Sequence, residues 1–102
     1  MCVSDGVVAL HAAARSGDLA AVRALLADGV PAHAQADEDG TSALMHAAGG
    51  GHGEVVSALL EAGAPWNAID RRGRCAGNHA LDAGHQTVVD ALVDAATRAE
   101  LL

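Results

Sequence analysis

Hydrophobic residues recur along this chain in short blocks at helical spacing, and glycines separate the blocks. Leu10, Ala13 and Ala14 lie one helical turn apart and share a face. Val55, Val56, Leu59 and Leu60 form the apolar face of another helix. Polar residues stand where such helices begin. Asp18 is placed to cap a helix starting at Leu19, and Ser42 to cap the helix that follows it. Gly29 and Gly63 follow the pairs Leu25-Leu26 and Leu59-Leu60, where a left-handed C-terminal cap is expected. Pro31 and Pro65 come just beyond and stop each helix from continuing. Gly17, Gly51 and Gly84 mark sharp reversals between helices.

The blocks repeat. Asp5-Gly6 aligns with Asp39-Gly40, Leu10 with Leu44, Ala13-Ala14 with Ala47-Ala48, Gly17 with Gly51, and Gly29 with Gly63, all at an offset of 34. A third copy follows at an offset of 33. It carries Gly40 to Gly73, Gly51-His52 to Gly84-His85, Val55-Val56 to Val88-Val89, and Leu59-Leu60 to Leu92-Val93. No single copy can bury its own apolar face, so the copies are expected to stack. The reading is one all-α domain spanning residues 1–102, with repeats at about 5–35, 36–68 and 69–102.

Composition agrees. The chain has no Phe, Tyr or Lys, and alanine supplies much of its hydrophobic content, which suits closely packed short helices and not a sheet. A formal charge of −7 disfavours nonspecific binding to nucleic acid or anionic membrane. Arg71, Arg72 and Arg74 are the one basic exception. Cys2 and Cys75 make no disulfide framework and are read as reduced thiols of the cytosol or nucleus. Met1 to Leu10 lacks a basic start and is interrupted by Asp5, so no signal peptide is read there. No apolar run approaches the roughly 20 residues that span a bilayer.

The period and the internal order of these features resemble the ankyrin-repeat family from about Asp5 to about Ala95. Gly63-Ala64 and Asn67-Ala68 match the end of that family's pattern. The helix start is kept as Ser42-Ala43-Leu44-Met45 in copy two and is most degenerate in copy three, at Cys75-Ala76-Gly77-Asn78. The resemblance implies a monomeric solenoid whose turn tips and first helices form a concave groove for another protein. Mapped onto this chain, the tips are Asp37, Glu38 and Asp39, then Arg71, Arg72 and Arg74, which read either as a dipolar patch that orients a charged partner or as solvated turn charges. The helix-face positions include Arg15, His46, His79 and Asp82. His52 and His85 occupy the Gly-His slot, where the family uses the imidazole to tie neighbouring loops. Trp66 stands where a small β-branched residue is usual. Two readings of it remain: packing between copies, or an exposed anchor for a partner.

Other chemistry finds little support. "GGGHG", Gly49 to Gly53, follows an alanine-rich helix and not the strand that a phosphate-binding loop requires. Cys75 and His79 are one helical turn apart, yet a closed zinc site needs four ligands and no second pair has the spacing. Cys75 also has no acid–base partner nearby in the sequence. No metal, cofactor or catalytic residue is expected.

A narrower resemblance lies in Gly63-Ala64-Pro65-Trp66-Asn67-Ala68, Ala76-Gly77, Asp82-Ala83-Gly84-His85 and Ala99-Glu100-Leu101. From about Leu44 to Leu102 the chain is similar to the ankyrin segment of arginine N-methyltransferase 2-like proteins of fungi and plants. Those proteins join such a segment to a catalytic domain that uses S-adenosylmethionine. Nothing in this chain supplies the glycine-rich strand–turn–helix for that cofactor, so the resemblance implies a non-catalytic part. Ala95 to Leu102 reads as continuing helix and ends on two leucines, which is expected of a piece of something longer.

Overall fold

The computed structural model describes residues 5–35 and 39–101. Six helices run in order: α1 (Asp5–Ser16), α2 (Leu19–Ala27), α3 (Ala43–Gly50), α4 (Gly53–Glu61), α5 (Ala76–Ala83) and α6 (Gln86–Leu101). They form three antiparallel pairs, α1 with α2, α3 with α4, and α5 with α6. The pairs stack so that α1, α3 and α5 make an inner row and α2, α4 and α6 an outer one. Among the described residues there is no sheet, only an isolated antiparallel bridge between Gln35 and Ser42. The solenoid of about three helix–turn–helix repeats is therefore the observed architecture.

The inner helices pack together more intimately than the outer ones, and their composition explains it. Ala13, Ala14, Ala43, Ala47, Ala48, Ala76 and Ala80 are all buried along this row. Their small side chains let the backbones approach. The bulk of the core comes from Leu10, Leu44, Met45 and Leu59, joined by Val22, Val55, Val56 and Val88.

The helix ends follow the sequence signals. Asp18 accepts a hydrogen bond from the Ala21 amide at 3.1 Å. Ser42 accepts one from the Met45 amide at 3.3 Å. Position 52 aligns with Asp18, but His52 makes no side-chain cap for α4. Its ring is committed elsewhere: Nε2 lies 3.0 Å from the Arg15 carbonyl, one repeat away. In the third repeat the cap reverses direction. The Asn78 carboxamide oxygen accepts from the Cys75 amide at 3.0 Å and from its thiol at 3.3 Å. The last helix continues unbroken to Leu101, as the sequence indicated, while Cys2 and Leu102 lie outside the described residues. No helix among the described residues is long and apolar enough to cross a membrane.

Candidate protein-binding groove

The turn that opens the third repeat is built around Asp70. Asp at the first position and Gly at the fourth of Asp70-Arg71-Arg72-Gly73 are preferred in a tight turn. Here the Gly73 amide donates to the Asp70 carbonyl at 3.0 Å, and the Asp70 amide to the Arg74 carbonyl at 2.9 Å. Asp70 Oδ1 accepts from the amides of Arg72 at 2.9 Å and Arg74 at 3.1 Å. Its other oxygen lies 3.0 Å from His79 Nε2 on α5. An ionised carboxylate only accepts, so the imidazole donates from Nε2. Asp70 is 7 % exposed. The Arg74 amide, with help from His79 and the Arg72 amide, holds its carboxyl below the usual carboxylate range despite the opposing effect of burial.

This turn is fastened to the preceding one. The Arg71 amide donates to the Asp39 carbonyl at 2.9 Å. Gln35 Nε2 reaches both Gly40 O, at 2.6 Å, and Ile69 O, at 2.8 Å. The Asp39 carboxylate accepts from the Thr41 amide at 3.0 Å and from its hydroxyl at 2.8 Å. Those bonds lower its pKa, the amide contributing most. Because the Thr41 hydroxyl donates to Asp39, it receives the bond from His46 Nε2 at 3.2 Å. Burial holds the His46 pKa down at about 4, and Arg15 and His11 add to the effect. His46 also lies beside His11, with ring centroids 5.5 Å apart and planes tilted by 52°. His11 itself is buried and bonded to the Ala34 carbonyl at 3.1 Å.

Between the two turns lies a cleft of about 640 Å³. Asp39 and Thr41 line it from the second repeat, and Asp70, Arg71, Arg72, Arg74, His79 and Asp82 from the third. The sequence-derived tip residues Asp39, Arg71, Arg72 and Arg74 thus meet the helix-face residues His79 and Asp82 in one place. Arg74 is partly buried in the wall of the cleft. Its guanidinium pairs with Asp82 and donates to the Asn78 carbonyl at 3.4 Å. Arg71 and Arg72 are exposed at the rim. Arg15 is exposed in the last turn of α1, close enough to His46 to act on its charge. Asp37 and Glu38 lie outside the described residues.

Trp66 stands apart from this group. It is half-buried, packed against the core, and lines a second cleft of about 530 Å³ between the outer helices. Its neighbours there include Leu60 and Glu61 of α4 and Ala91, Ala95 and Arg98 of α6. No residue is common to the two clefts. Packing between copies and partial exposure are both realised in the one side chain, but on the outer face and not in the groove.

Sequence reasoning passed over Asp70 and Thr41 in the cleft, and Gln35, which ties the two turns together outside its lining. The Asp-x-x-Gly spacing was a usable signal for Asp70. Thr41 bonds within its own repeat, to Asp39 and His46, whereas the role of Gln35 depends on the neighbouring turn through the Ile69 carbonyl. Cys75 is half-buried and its thiol bonds Asn78, while His79 turns to Asp70, so the pair does not converge. Among the described residues no group of three or more His, Cys, Asp or Glu side chains is arranged to hold a metal ion.

Comparison with known proteins agrees with the fold. A stretch of 53 residues, 52% of this chain, is 49% identical to protein arginine N-methyltransferase 2 of Cryptococcus neoformans var. neoformans serotype D (strain B-3501A). The match spans 15% of that protein's length. The family described as ankyrin repeats (3 copies) matches residues 4–101, nearly the whole chain. That family is a non-catalytic structural repeat, and this chain belongs to it.

Proposed function

We propose that this chain is the non-catalytic ankyrin part of a protein of the arginine N-methyltransferase 2 kind, and that its groove receives another protein. The observation that carries this reading is the 49% identity over 53 residues to such a methyltransferase. Ankyrin arrays bind unrelated targets, so the architecture alone names no partner. Similarity to one enzyme's segment is more specific. The groove lends physical support: its turns are cross-linked by Gln35 and by the Arg71–Asp39 backbone bond, so little ordering is needed when a partner docks.

The test is the intact mass of the native protein in its source cell, detected with an antibody against this segment, with arginine methylation assayed on the captured material. A product several times larger than 10.1 kDa that methylates arginine with S-adenosylmethionine is the expected result. A product near 10.1 kDa with no methyltransferase accompanying it would overturn the assignment and leave a stand-alone adaptor.

A further inference from the structure

Each repeat turns an equivalent face toward the next, and the three faces are not equally covered. On the inner row the residue three places before the turn glycine is Ala14 in the first repeat, Ala48 in the second and Leu81 in the third. Both alanines are 0 % exposed, whereas Leu81 is 60 % exposed. On the outer row the equivalent residues are Val22, Val56 and Val89, then Leu26, Leu60 and Val93. Val22 and Val56 are buried and Val89 is half-buried. Leu26 and Leu60 are half-buried, and Val93 is 59 % exposed. The turn glycines follow the same trend. A Cβ on Gly17 would strike the His52 ring, and one on Gly51 the His85 ring. Gly84 has the same left-handed backbone, with φ +81°, yet nothing among the described residues lies within 4 Å of its Cβ position. The first two repeats use this face to hold a following helical pair. The third keeps the face apolar, with leucine and valine where a repeat that closes an array carries polar residues.

We propose that this face of the third repeat docks a helical pair from another part of the full-length protein, and that the pair's second helix opens on a histidine whose ring seats against Gly84. This deepens the preceding proposal and rests on its premise that the chain is part of a larger protein. Continuity carries it, because the face extends an interface that already recurs twice in the molecule. A second copy of this chain is a poor occupant. Its rings at the joint, His52 and His85, are already lodged against its own Gly17 and Gly51. Its first repeat has Asp18 in that slot, and the Asp18 carboxylate is committed to the Ala21 amide. Leu81 sets a further condition. It is larger than the alanines at the two equivalent positions, so the helix facing it must offer glycine or alanine there. Removing Leu81 and Val93 from water supplies the driving force.

The experiment is amide hydrogen exchange, read by mass spectrometry, on the full-length native protein beside the 102-residue chain. Docking makes local opening of α5 and α6 rarer, so their exchange should be about tenfold or more slower in the full-length protein. Leu81→Glu should leave the α5 and α6 rates of the 102-residue chain within about threefold, because the side chain is exposed there. In the full-length protein the same variant should remove most of the added protection. Gly84→Ala tests the ring. In the 102-residue chain it should lower the urea midpoint no more than Gly29→Ala does, since both meet only the backbone penalty. In the full-length protein it should remove the protection as Leu81→Glu does. Should Leu81→Glu lose its helical circular dichroism, Leu81→Ser takes its place. Equal exchange in the two proteins, or added protection that survives either variant, would overturn the proposal. So would a 102-residue chain that sediments as a dimer and becomes a monomer with Leu81→Glu, which would name a second copy as the occupant. A native product near 10.1 kDa removes the premise and the docking together, whereas a larger product with an unprotected third repeat removes the docking alone.

Discussion

His52 and Gly17 are locked together across the first two repeats. The His52 ring lies so close that a Cβ placed on Gly17 would come within 2.5 Å of its Nδ1. From that position its Nε2 reaches the Arg15 carbonyl at 3.0 Å, satisfying a group at the exposed end of α1 that no intrahelical amide can serve. The relationship recurs one repeat on, where a Cβ on Gly51 would meet the His85 ring at 2.7 Å. The Gly-His slot is thus a stacking joint between repeats.

Gly17→Ala therefore faces two penalties. Gly17 has φ +77°, where an L side chain is strained, and the added methyl strikes the imidazole. A loss of about 2 kcal/mol or more is expected in urea unfolding. Gly29→Ala isolates the first penalty, because its φ is +94° and nothing lies within 4 Å of the new methyl; about 1 kcal/mol is expected. In a His52→Ala background the cost at position 17 should shrink toward that at position 29. Equal costs at the two glycines in the wild-type background would mean that the ring does not crowd Gly17.

Leu59 carries the central repeat. It is 0 % exposed and lies on α4, between the outer helices of the neighbouring repeats. Leu59→Ala should cost about 2–5 kcal/mol. Domains of this size hold about 5–15 kcal/mol in all, so the midpoint in urea should fall steeply. Leu60 is only half-buried, and its truncation should cost less. A reversed order would place the wrong leucine in the core.

His46 and two carboxylates, Asp70 and Asp39, contribute to an acid limb of stability. His46 titrates at about 4 in the folded chain, against an ordinary 6.5, because burial, then Arg15 and His11, disfavour its charged form. The unfolded chain therefore binds more protons between those values, and stability should decline as pH falls from about 6.5 to about 4. Asp70 acts below that range. Its carboxyl is held under its ordinary 3.8, so its contribution is complete above about pH 4 and is lost as pH falls through the folded-state value. Urea unfolding at pH 7, 5 and 3 measures both ranges. His46→Gln should flatten the change between pH 7 and 5, and Asp70→Asn the change between 5 and 3. Unaltered slopes would remove these residues as the cause.

The helix caps of the second and third repeats differ in strength. Ser42 accepts the Met45 amide and is buried, so Ser42→Ala should destabilise by about 1 kcal/mol. Cys75 occupies the same slot with sulfur, a weak acceptor. Cys75→Ser should gain up to about 1 kcal/mol in thermal or urea unfolding. No gain would mean that the Asn78 bond to the Cys75 amide already completes that helix start.

The helices, their pairing and their ends were legible before any coordinates. Capping by Asp18 and Ser42, the stops at Gly29 and Gly63, and the apolar faces of Leu10 and Val55 depend on residues within one helical turn. The offsets of 34 and 33 then announced the stack. The ankyrin resemblance placed Arg71, Arg74, His79 and Asp82 on one side, and one cleft gathers them. What remained hidden were relationships between repeats. Gln35 bonds the Ile69 carbonyl, His52 the Arg15 carbonyl, and His79 the Asp70 carboxylate. Trp66 turns to the outer helices although its sequence neighbours lead into the groove. Periodicity reports which face of its own helix a residue occupies. It is silent on how far apart two stacked turns lie, and a hydrogen bond between them exists only over a few tenths of an ångström. That spacing is set by the buried alanines of the inner row, and only their packing in three dimensions decides it.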